Sequence, residues 1–182
     1  MYKNWRELIK PTRLQVDSDS LTANYGKFTA EPFERGFGTT LGNALRRVLL
    51  SSLQGAAITS VRIKNVLHEF STVPGVTEDV TDIILNLKGV LITLQGHEAR
   101  NIRIVKKGAG EITAGDIITD SNVEILNPDL HIATCGKEAD VEIDMVVAMG
   151  KGYVPAERNR DEKAPVGTIP IDALFSPITK VN

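Results

Sequence analysis

The chain has 182 residues, 42% hydrophobic and 24% charged, with a formal net charge of −2 and one cysteine, Cys135. That length and balance suit one domain, or two small ones, with a true hydrophobic core, and argue against a disordered chain. The slight negative charge argues against autonomous grip on nucleic-acid phosphates, the lone cysteine excludes an internal disulfide, and the longest apolar run, Met145–Met149, is far below the roughly 20 residues of a membrane helix.

The first eleven residues mix charge with apolar side chains and show no apolar core of a signal peptide. With the single cysteine they point to a reducing, cytoplasmic location. Residues 13–16 and 26–30 read as strands. The first helix is expected over 38–52, where Phe37, Leu41, Ala44, Leu45, Val48 and Leu49 recur at spacings of three and four. Thr39 or Thr40 is the expected N-cap. Gly36 and Gly38 permit a sharp lead-in, and Gly42 allows close packing against the helix.

A strand follows at 57–63, and His68 falls in a strand-like stretch with a structural or solvated role. The second helix is expected from about Glu78 to Lys88, with Val80, Ile83, Ile84 and Leu87 on one face. Thr77 is its expected N-cap, Glu78 and Asp79 complement the positive end of the dipole, Lys88 complements the negative end, and Gly89 suits a left-handed cap. Residues 90–94, 101–105, 123–125 and 141–146 read as further strands, several alternating apolar with polar residues. The stretch 150–167, rich in Gly, Pro and charge, reads as a long surface loop. Residues 177–182 read as the start of a strand, so the chain reads as a fragment. Strands dominate and helices are few, which predicts an α+β fold.

Catalytic signatures are weak. His68, His97 and His131 are scattered, and no C-x-x-C, H-x-x-x-H or carboxylate cluster with metal-ligand spacing occurs. The expectation is no catalytic residue, no metal and no cofactor in this chain. In the run Glu34–Gly42, Leu41 occupies the place of the third glycine of a dinucleotide fingerprint, and Gly42 is followed by Asn43 and Ala44 rather than the Lys and Ser/Thr of a P-loop. Glu78–Asp79 and Asp161–Glu162 suit a helix start and a solvated loop.

The other face of the first helix is more informative. Leu50 falls 180° from Leu41 at 100° per residue, with Asn43, Arg46 and Arg47 around it, and no carboxylate stands at i±3 or i±4 of either arginine. A leucine flanked by arginines suits a protein-binding patch. A helix sandwiched inside its own core would show the same pattern. Two other functions stand behind these: a small-molecule enzyme with its site in the Gly36–Gly42 turn, and a nucleic-acid binder using Arg46 and Arg47.

The run from Glu34 to Ser52 closely resembles the signature helix of the bacterial RNA polymerase alpha subunit family. The resemblance continues through Val66–Thr72, Gly75–Asp79, Ile84–Gly89 and Lys151–Ala156, and spans essentially the whole chain. Position 39, often His in that family, is Thr here. The resemblance implies a dimerisation domain, residues 1–54 plus 178–182, interrupted by an inserted, mostly β domain, residues 55–177. It implies a non-catalytic scaffold of DNA-directed RNA polymerase, a nucleotidyltransferase, working in transcription. The partners implied are a second alpha chain and the beta and beta-prime subunits, with DNA met only through the assembled enzyme and no membrane. It further assigns Arg47 and Leu50, with Asn43 and Arg46 beside them, to docking beta, and Asp82 and Lys88 to docking beta-prime. The stripe Phe37, Leu41, Leu45, Val48 and Leu49 would pack the dimer. Family chains continue into a second long helix and a DNA-contacting domain that this sequence lacks.

Overall fold

Burial is distributed unevenly along this chain. The computed structural model describes residues 8–182, and they divide into two compact units between Val48 and Leu49. No described residue from Leu8 to Val48 is buried. The hydrophobic core lies in the second unit, built of Ile, Val, Leu, Met and Ala side chains from Ile58 to Ile171.

The first unit contains β1 (Leu14–Val16) and β2 (Phe28–Ala30), antiparallel with Leu14 opposite Ala30 and Val16 opposite Phe28. The helix α1 (Phe37–Ser51) begins in this unit and ends in the second. The second unit continues with β3 (Gln54–Ile63), α2 (Val80–Leu87), β4 (Ile92–Leu94), β5 (Arg100–Lys107), β6 (Gly110–Thr113), β7 (Val123–Ile125), β8 (His131–Cys135) and β9 (Asp140–Lys151). It closes with β10 (Tyr153–Val154), β11 (Thr168–Pro170) and β12 (Ala173–Leu174). Short 3-10 turns stand at Ala114–Asp116 and Ala156–Asn159. The fold is α+β, as the strand-rich pattern predicts.

Alternation explains the main sheet. Its order is β11-β3-β9-β5, every neighbour antiparallel. Along β9, Val141, Ile143, Met145 and Val147 are buried while Glu142, Asp144 and Val146 are half-exposed. Successive side chains of a strand point to opposite faces, so one face joins the core and the other meets water. Val61 and Ile63 of β3 and Ile102 and Ile104 of β5 join the buried set. So do Val80, Ile83, Ile84 and Leu87, the apolar stripe of α2.

The wet face carries a cross-strand charge ladder. Asp144 lies opposite Arg62 on one side and Arg103 on the other. Arg62 Nη2 reaches Asp144 Oδ2 at 2.6 Å and Arg103 Nε reaches Oδ1 at 2.6 Å. Arg103 also meets Glu142 at 3.5 Å. Burial pushes the Asp144 carboxyl up, but the hydrogen bonds from Arg62 and Arg103 outweigh it and hold the group below the ordinary aspartate range.

Where β3 pairs with the end of β9, Gly55 faces Gly150. The buried Phe175 sits against both. A Cβ at Gly150 would lie 2.5 Å from the Phe175 ring, and one at Gly55 only 2.0 Å from the Phe175 carbonyl oxygen. These glycines therefore serve close approach rather than a turn.

Several local expectations need correction. The helix α1 starts at Phe37, so Thr39 and Thr40 lie inside its first turn rather than capping it. Thr40 instead donates back to the Gly36 carbonyl at 3.5 Å. The N-cap of α2 is Asp79, whose Oδ1 accepts from the Asp82 N–H at 2.8 Å. Thr77 lies three residues ahead of Val80, the first residue of α2, and its N–H is bonded to the Thr134 carbonyl at 3.0 Å, where the chain is still paired beside β8. Gly89 does not adopt the left-handed conformation. Its smallness is used differently: a Cβ would lie 3.2 Å from the Asn86 carbonyl oxygen and 3.3 Å from Leu130. His68 lies outside any strand and hydrogen-bonds Ser71 Oγ at 3.1 Å. The expected loop 150–167 is interrupted by the end of β9, by β10 and by a 3-10 turn, and residues 177–182 form no strand in this structure.

Candidate functional site

The α1 surface begins with backbone geometry. Gly36 has φ +85°, a region that costs glycine little, and the Phe37 N–H returns to the Glu34 carbonyl at 3.0 Å. This turn aims the chain into the helix, as the Gly36–Gly38 pair suggests. No residue of α1 is buried. Phe37, Leu41 and Leu49 are half-buried, while Leu45 is 61% and Val48 51% exposed. Among the described residues nothing lies within 4 Å of a Cβ built at Gly42, so the expected close packing there is absent.

On the opposite side Asn43, Arg46 and Arg47 are exposed and Leu50 is half-buried. Among the described residues, α1 is therefore not enclosed on both sides. A helix buried on both sides would bring its apolar residues below water's reach, and none of these is. Apolar and cationic residues stay accessible together along one helix, which is how protein-docking surfaces are composed.

The second pair of expected site residues lies on α2 and just beyond. Asp82 is exposed in the first turn, with its N–H held by the Asp79 cap. Lys88 forms an ion pair with Asp172, the residue before β12. The hydrogen bond from Lys88 holds the Asp172 carboxyl below its ordinary range against the opposing effect of burial. Lys88 thus has a long-range partner in addition to its place at the negative end of the helix.

Glu78 does something the sequence hid. Its carboxylate accepts from the Thr134 N–H at 2.7 Å and the Thr134 hydroxyl at 3.1 Å, and lies 3.0 Å from His131 Nε2. His131 Nδ1 lies 2.7 Å from Glu111 Oε1. Glu78 is therefore a bracket between β8 and the approach to α2, not a dipole partner. Burial pushes its carboxyl up, and the Thr134 and His131 hydrogen bonds bring it below the ordinary value. The partners stand 53 and 56 residues away, beyond any local sequence signal.

Cys135 is buried and its thiol is pushed up by that burial, the opposite of what a nucleophilic thiolate needs. Among the described residues no group of three or more His, Cys, Asp or Glu side chains is arranged to hold a metal ion, and no helix is long and apolar enough to cross a membrane.

The model of the RNA polymerase Rpb3/RpoA insert domain matches residues 61–176. The chain belongs to this family. The matched residues include α2, Lys88, the charge ladder and the Glu78–His131 bracket, while α1 lies before them. The chain is also 74% identical over all 182 residues to the DNA-directed RNA polymerase subunit alpha of Geobacter metallireducens, and 69% identical to that of Pelobacter propionicus. In both comparisons all of this chain aligns with 54% of the relative, so it spans about half the length of these relatives.

Proposed function

We propose that this chain is the assembly region of a DNA-directed RNA polymerase alpha subunit, a non-catalytic scaffold in transcription. It acts in the cytoplasm as part of a nucleotidyltransferase and supplies no catalytic residue, metal or cofactor. Residues 1–54 plus 178–182 form the dimerisation domain, and residues 55–177 the inserted domain.

The observation that carries this function is the accessible apolar stripe of α1, with Leu45 at 61% and Val48 at 51% exposure and no buried residue between Leu8 and Val48. Apolar residues at three-and-four spacing on a water-facing helix are an unfinished interface. Phe37, Leu41, Leu45, Val48 and Leu49 pack against the same stripe of a second alpha chain. Such a contact is isologous, so each favourable substitution site is used twice.

Asn43, Arg46, Arg47 and Leu50 then dock the beta subunit. Arginine suits this role because its planar head makes several directed hydrogen bonds while its stem covers apolar surface. Leu50 supplies the apolar anchor beside it. Asp82 and Lys88 dock beta-prime, with the Asp172 ion pair holding the Lys88 side chain in one direction. DNA is met only through the assembled enzyme. The named relatives and the insert-domain family support this reading. The test is to express the chain with an affinity tag in a bacterial cell. Co-purification with two very large polypeptides in a complex that makes RNA supports the function, and recovery of the chain free of them contradicts it.

A further inference from the structure

The Glu78–His131–Glu111 cluster is absent from the scaffold function above, and its geometry carries a consequence of its own. It is assembled by an irregularity in β-sheet register. Glu111 lies opposite Thr134 and Ile112 opposite Ala133, but Thr113 lies opposite His131, which leaves Ile132 without a counterpart. In a regular strand His131 and Thr134, three apart, would point to opposite faces. The extra residue lets Ile132 and Ala133 both be buried, and returns His131 to the side where Glu111 and Thr134 stand.

The imidazole then touches a carboxylate at each ring nitrogen, Glu111 at 2.7 Å and Glu78 at 3.0 Å. Ionised carboxylates only accept hydrogen bonds. A neutral imidazole has one N–H and one lone pair, so it satisfies one such contact and repels the other. Only the imidazolium donates to both. We infer that Glu111, His131 and Glu78 form a proton-operated clamp, closed across β6, β8 and the approach to α2 while the ring carries two protons, and opened at its Glu111 arm when one proton leaves.

The two arms are unequal. Glu78 is 18% exposed and keeps two donors from Thr134 whatever the ring does. Glu111 is 58% exposed, and water replaces the imidazole there at little cost. The Glu111 arm is therefore the one released. The charged groups acting on the ring are Glu78, ahead of α2, and Glu111, from β6. The cation Lys106 of β5, which acts on Cys135 at the end of β8, is engaged by Asp116 at 3.2 Å. Hydrogen bonds from Glu78 and then Glu111 raise the His131 pKa above its ordinary value, against a smaller effect of burial. For a raised histidine the added stability is complete below the unfolded pKa and disappears as pH rises through the folded one. The clamp thus opens on the alkaline side of the ordinary histidine range.

The test is an NMR titration of the full-length protein labelled at its histidine ring nitrogens. His131→Gln identifies the His131 signals. The expected result is a His131 midpoint above the ordinary histidine value of about 6.5, with the ring doubly protonated on its acid side. Glu111→Gln, a change at an exposed strand position that leaves the fold intact, lowers that midpoint by about one pH unit. A singly protonated His131 ring at pH 6.5, or a midpoint that Glu111→Gln does not move, would overturn the clamp.

Discussion

Leu45 offers the sharpest test of the α1 stripe. Fully burying a leucine side chain contributes about 1.5–3 kcal/mol. Leu45 is 61% exposed, so roughly 0.9–1.8 kcal/mol of that remains to be gained when a partner covers it. A two-fold interface uses the position twice, which gives about 2–4 kcal/mol in the dimer. Leu45→Ser removes this term and should raise the dimer dissociation constant about 30- to 700-fold. The cost to the isolated fold is the share already buried, roughly 0.6–1.2 kcal/mol, plus the lower helix propensity of serine, about 0.5 kcal/mol or less. Sedimentation equilibrium of the full-length chain over a range of concentrations reads the first quantity, and thermal unfolding followed by circular dichroism reads the second. A dissociation constant within threefold of wild type would refute the assignment of Leu45 to the dimer contact.

Other outcomes follow from single contacts in the second unit. Gly150→Ala sets a methyl 2.5 Å from the Phe175 ring, and overpacking of that kind costs about 1–3 kcal/mol in urea unfolding. Gly55→Ala meets the Phe175 carbonyl oxygen at 2.0 Å and should cost more than Gly150→Ala; the reverse order would argue against the packing described. Asp79→Ala removes the side-chain cap of α2 and should lower stability by about 1 kcal/mol, whereas Thr77→Ala, which leaves that cap in place, should lower it less. Asp144 is held below the ordinary range by Arg62 and Arg103 despite its burial. Its stabilising effect is therefore present above the unfolded value, near pH 4, and lost as pH falls through the folded one. Asp144→Asn should flatten the acid side of the stability profile, and an unchanged profile would discount the ladder.

The legible parts of this fold were those with strict periodicity. The stripe Val80, Ile83, Ile84 and Leu87 announced α2, and all four side chains are buried. The alternation of 141–146 announced β9, although the strand runs on through Gly150 to Lys151 because β3 pairs with it there. A glycine-rich end looks like a loop until Phe175 fills the space that the missing side chains leave. The strand β8 went unseen because its five residues include the extra Ile132, which breaks the alternation. Glu78 was misassigned for a related reason. Helix-dipole reasoning considers only neighbours in sequence, and the tertiary hydrogen bonds from Thr134 and His131 outrank a partly screened dipole. On α1 the wheel gave two faces, and the structure leaves both accessible.

Direct binding of Arg47→Ala to purified beta subunit tests the scaffold most directly. Arg47 is exposed; thermal unfolding of the variant separates any cost to the chain's own fold from the loss of an interface anchor, which costs about 2 kcal/mol or more. The prediction is that the wild-type full-length chain captures beta and the variant does so at least about 30-fold more weakly. Equal capture by the two chains, with both folded, would contradict the claim that this helix face is where the second polypeptide docks.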